Sequence, residues 1–84
     1  MDTKKCKLEE NIAALTRAIG ENPDDGRLYL ERGKLYHRRS EFDKALNDFI
    51  RVTDLSGEEH REAEGYIAMI RGIFDFRYME SYNV

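Results

Sequence analysis

The side chains that could do chemistry in this 84-residue chain are one thiol, two imidazoles and several clusters of charge. A thiol acts as a nucleophile only where a base and an electropositive surrounding hold it as thiolate. Cys6 lies off the apolar stripe of the first helical segment and reads as an inert surface or boundary residue. His37 and His60 have no ligand partner at helical spacing, and Cys6 has no second cysteine, so no metal site is expected. Asp24-Asp25-Gly26 has a calcium-loop flavour, yet Pro23 and Arg32 stand where ligands would be required. A turn that caps a helix is the simpler reading. The chain has no Gly-x-Ser-x-Gly elbow, no phosphate-binding loop and no Gly-x-Gly-x-x-Gly fingerprint. It is expected to be no enzyme and to use no cofactor or metal.

Charge narrows the remaining classes. Lys34, His37, Arg38 and Arg39 gather beside Tyr36, an arrangement that can meet phosphates. Cations at a helix end also answer the helix dipole without any ligand. The net charge is -3, with a mildly basic middle between two acidic flanks, which is not the footprint of a nucleic-acid-binding domain. A small nucleic-acid-binding adaptor is therefore the least favoured function. A single cysteine excludes an intrachain disulfide framework. The longest apolar runs are a few residues, too short to cross a membrane. Lys4, Lys5 and Lys7 are followed by Leu8-Glu9-Glu10-Asn11 rather than an apolar core, so no export signal is expected. A cytoplasmic setting and no membrane contact follow as expectations.

The elements that position these residues are helical throughout. Leu8, Ile12, Leu15 and Ile19 recur at spacings of four, three and four, which predicts a first helix over about 3–19, capped by Asp2 or Thr3 and ended at Gly20. Asn22-Pro23-Asp24-Asp25-Gly26 is a turn whose aspartates can cap the next helix. That helix runs over about 27–38, with Tyr29, Gly33 and Tyr36 on one face. Ser40 with Asp43 approximates a capping box for a third helix, whose buried stripe is Phe42, Ala45, Leu46, Phe49 and Val52. Ser56 with Glu59 makes a second capping box for a fourth helix over about 58–79, with a core face of Ala63, Ile67, Ile70 and Phe74. Short connections predict antiparallel neighbours in an all-α fold.

Residues 26–59 resemble a tetratricopeptide repeat. Tyr29, Arg32-Gly33, Tyr36, Ala45 and Phe49 stand at that family's spacing, with Arg32 in place of a leucine and Gly57 in place of the closing proline. Residues 3–23 resemble the second half of a preceding repeat, ending at Pro23, and residues 60–80 the first helix of a following one. The resemblance implies one domain over 1–84, a short right-handed stack of antiparallel helix pairs. In it Gly33 permits close helix crossing, Ala45 is small where helices touch, and Phe49 fills the space towards the next repeat.

In that family the first helix of each repeat lines a concave surface that holds peptides. The corresponding face of the 27–38 helix carries Arg27, Leu30, Glu31, Lys34, His37 and Arg38, and that of the last helix Arg61, Glu64, Gly65, Ala68 and Arg71. Basic residues outnumber acidic ones, favouring an acidic segment or a free C-terminus as ligand. Glu31 and Gly65 depart from the residues with which some family members clamp terminal carboxylates. The expected function is a non-enzymatic protein-interaction module. The alternative is a structural homodimer with no separate ligand: Tyr66, Met69, Ile73 and Phe76 widen the apolar arc of the last helix, Tyr78 does so on its other side, and an uncovered apolar arc marks an interface. Gly65, Ala68 and Gly72 add a stripe of small residues to that helix.

Overall fold

A computed structural model describes the backbone over residues 3–82 and the side chains over residues 7–74. Asp2 and the side chains of Cys6, Phe76, Tyr78 and Tyr82 fall outside these. The described chain forms α1 (Thr3–Glu21), α2 (Gly26–Arg38), α3 (Phe42–Leu55) and α4 (His60–Tyr82). Consecutive helices pack on one another, α1 on α2, α2 on α3 and α3 on α4. The all-α stack expected from the periodicities is the architecture observed.

The core follows the stripes. Ile12 and Ile19 of α1, Tyr29 and Leu30 of α2, Ala45, Phe49 and Val52 of α3, and Ala63 and Ile70 of α4 are buried. Phe49, Val52 and Ile70 are the largest side chains wholly withdrawn from solvent. Burying each contributes roughly 1.5–3 kcal/mol. Phe49 does so between two neighbours. Its ring stacks on Tyr66 of α4 with centroids 4.7 Å apart. On its other side the ring reaches α2, where a Cβ built on Gly33 would lie 2.7 Å from its Cε1. Gly33 is thus the point at which α3 enters α2.

Two helix starts differ from expectation. Ser40 does not cap α3: it takes a left-handed φ of 62°, and Glu41 is the N-cap without a side-chain hydrogen bond. Ser40 is used to turn the chain out of α2, its N–H donating to the His37 carbonyl at 3.0 Å, which leaves it one residue too early to cap α3. Ser56 likewise ends α3 in the left-handed region, φ 54°, instead of opening α4, which begins at His60. Gly20 is inside α1, which ends one residue later. Asp25 does cap α2, its Oδ1 accepting from the Arg27 N–H at 3.1 Å. The Tyr29 hydroxyl donates to the Pro23 carbonyl at 2.9 Å and fixes that turn to α2.

A polar junction runs through this apolar frame. Asp48 of α3 is 4% exposed, and Arg32 of α2 meets it with two parallel hydrogen bonds, Nε to Oδ2 at 2.9 Å and Nη2 to Oδ1 at 2.8 Å. Arg32 Nη1 also donates to Thr16 Oγ1 of α1 at 3.2 Å. The guanidinium lies 5.9 Å from the Tyr29 ring centroid and 5.7 Å from that of Tyr36. The hydrogen bonds to Asp48 raise the already high pKa of Arg32, against the opposing effect of burial. One side chain therefore joins three helices.

Candidate functional site

The two faces expected to form a single groove divide into separate clefts. Between α2 and α4 lies a cleft of about 220 Å³ lined by Glu31, Lys34, Leu35, His37, Arg38 and Tyr66. His37 sits against two aromatic rings, Phe42 at 5.4 Å and Tyr66 at 5.5 Å, both edge-on. Its Nε2 is buried without a hydrogen-bond partner among the described residues. A second cleft of about 600 Å³ lies between α3 and α4, lined by Ile50, Thr53, His60, Glu64, Ile67, Ala68 and Arg71. A third, about 540 Å³, lies between α1 and the end of α2, lined by Lys7, Leu8, Asn11 and Arg38.

Several expected groove residues require correction. Leu30 is not on an exposed face. It is 3% exposed and belongs to the same buried cluster as Ala63 and Ile70 of α4. Ala68 and Arg71 do not join the α2 face either. At about 100° per residue, positions 64, 68 and 71 turn to the flank of α4 that adjoins Ile50 and Thr53 of α3. Arg61 is exposed and lines none of these clefts.

The charge of the α2 face is also lower than a residue count implies. Lys34 Nζ is 2.7 Å from Glu62 of α4 and 3.5 Å from Glu31. The hydrogen bond to Glu62 is the main cause that raises the Lys34 pKa. Arg27, largely exposed, has its Nε 3.8 Å from Glu59. Arg39 is paired with Glu41 at 2.9 Å. Arg38, in contrast, is exposed and lies within 4.0 Å of no carboxylate among the described residues. It is the cation that the α2–α4 cleft leaves available, and it stands between that cleft and the α1–α2 cleft.

Of the residues expected to self-associate, Met69 is 54% exposed, Ile73 is half-buried, and the Phe76 side chain is outside the described residues. Gly65 and Gly72 border open space, with nothing within 4 Å of a Cβ placed on either. Among the described residues no three histidine, cysteine, aspartate or glutamate side chains are grouped to hold a metal. No described helix is long and apolar enough to cross a membrane.

Sequence reasoning missed the partners. Tyr66 completes the α2–α4 cleft, and Glu62 pairs with Lys34 beside it, from a helix read mainly for its apolar face. Asp48 carried a usable signal: it falls on the same stripe as Ala45, Phe49 and Val52, so a buried carboxylate in need of a cation was implied by spacing alone.

Helices joined by short turns and packed in sequence define a helical-repeat stack. The chain is 41% identical over 56 residues to the human tetratricopeptide repeat protein 16, and 36% identical over 56 residues to its counterpart from Macaca fascicularis. Each match covers 67% of this chain and 6% of the relative, so the chain spans a small part of the curated relatives it matches. No family model matches the chain. No solved structure matches it either. The matched part of this chain is a region of the tetratricopeptide-repeat type.

Proposed function

We propose that the chain is a non-enzymatic protein-interaction module that holds a segment of another protein against the α2–α4 face, with a carboxylate of that segment meeting Arg38. The repeat-type region supports protein–protein interaction as the general function. The observation that carries the finer reading is the α2–α4 cleft itself: an aromatic and aliphatic floor from Leu35, His37 and Tyr66, with one exposed guanidinium at its end that meets no carboxylate among the described residues. Apolar floor and charged rim are the two parts a short peptide needs, one for affinity and one for register. Lys34, whose charge is answered by Glu62 and Glu31, contributes shape and aliphatic cover more than attraction.

The test is a fluorescence-anisotropy titration with labelled peptides that combine an aromatic or aliphatic residue with flanking aspartates and glutamates. Saturable binding at low salt is expected, weakened about tenfold or more by Arg38→Glu. Circular dichroism of that variant should be unchanged, since Arg38 is exposed and pairs with no carboxylate among the described residues. Equal binding by wild type and Arg38→Glu would overturn the assignment of Arg38, and no binding to any such peptide would overturn the acidic ligand.

A further inference from the structure

We infer that the α3–α4 cleft is completed by a second copy of this chain, whose α4 packs antiparallel on this α4 about a two-fold axis between Ile67 and Ala68. The cleft is about 600 Å³ and partly apolar, with Ile50 37% exposed, Ile67 half-buried and Ala68 exposed. Its α4 wall reads Glu64, Ile67, Ala68, Arg71. Two antiparallel helices related by a two-fold axis place residues level when their numbers have a constant sum. An axis between Ile67 and Ala68 puts Glu64 level with Arg71 of the second copy, and Arg71 level with Glu64 of the second copy. Each lies about 5 Å along the helix from the axis, at 1.5 Å per residue. The same axis sets Ile67 against the small Ala68 of the second copy, which allows close approach.

The wall of this cleft is therefore its own electrostatic complement when turned by half a revolution. An isologous contact requires that property. A different partner would not. The contacts among the described residues leave both charges open to it. Arg71 is exposed and has no carboxylate within 4.0 Å among the described residues. Among the described residues Glu64 has only His60, at 3.4 Å, which attracts it only when the imidazole is protonated. From α3 the cleft receives Ile50 and Thr53, neither of them charged. By the same symmetry α3 of each copy adjoins α4 of the other, and the four helices form a bundle. The contact lies on a different flank of α4 from Ile73. Met69, 54% exposed, is likewise on another flank, about 100° round the helix from Ala68.

Sedimentation equilibrium of the full chain at tens of micromolar tests this. Wild type is expected to be dimeric. Glu64→Arg and Arg71→Glu each set like charges level with one another twice over, and each should weaken association about tenfold or more. Mixing the two variants restores both ion pairs, one with its signs exchanged and one as in wild type, so the mixture should form a heterodimer tighter than either variant alone. Both positions are exposed, and circular dichroism should show each variant folded. A monomeric wild type, single variants that associate as wild type does, or a mixture no tighter than its components would each overturn the inference. So would a dimer broken by Met69→Glu and indifferent to both charge reversals. The inference does not rest on the peptide cleft, and Arg38→Glu should leave association unchanged.

Discussion

Arg32 occupies a position where the repeat pattern favours leucine, and Asp48 explains how the charge is tolerated. A carboxylate 4% exposed would be costly alone, but here both its oxygens accept from one guanidinium. The pair is best viewed as a matched exchange for an apolar contact, with a directional preference that leucine lacks. Arg32→Leu should therefore destabilise the chain by about 3–5 kcal/mol, because Asp48 is left buried and unpaired. The double change Arg32→Leu, Asp48→Leu should recover most of that loss, as measured by urea unfolding. Equal stability of the single and double variants would show that Asp48 finds water or another donor instead. At this scale the sequence reveals which residues are out of place on their stripes. It does not reveal that two of them, sixteen positions apart, meet, because pairing across helices depends on how each helix is rotated.

Among the elements, α3 approaches α2 closely at Gly33, where a Cβ would lie 2.7 Å from Phe49 Cε1. Phe49 is fully buried there, with Tyr66 stacked on its far side, so its ring has no free direction of retreat. Gly33→Ala should cost about 1–3 kcal/mol through overpacking, although alanine favours a helix by about 1 kcal/mol over glycine in an open position. Thermal unfolding distinguishes the two tendencies: a raised Tm would mean that Phe49 yields and the approach is loose. The helices themselves were legible, since four apolar stripes at helical spacing specify four elements. Their ends were less so. Ser40 and Ser56 have the residue type of an N-cap, but each takes a left-handed φ at the exit of a helix, a role for which glycine was the expected residue. A serine before a helix and a serine after one look alike in one dimension.

In the whole molecule, function depends on which stripe of each helix is left uncovered, and this is where the sequence said least. Helical periodicity identified a polar face on α2 and another on α4, but joining them into one groove required the rotation of α4. The structure turns Ala68 and Arg71 towards α3, covers Leu30, and answers Lys34 with Glu62. What remains on the α2–α4 side is a smaller cleft of Leu35, His37 and Tyr66 with Arg38 at its rim. The proposed function turns on this cleft receiving a protein segment. The most direct measurement is a two-dimensional amide NMR titration of the full chain with an acidic peptide bearing one aromatic residue. Shifts concentrated at Leu35, His37, Arg38 and Tyr66, and fading as salt is raised, are the predicted result. Saturable shifts confined to α3, or an unchanged spectrum at millimolar peptide, would contradict it.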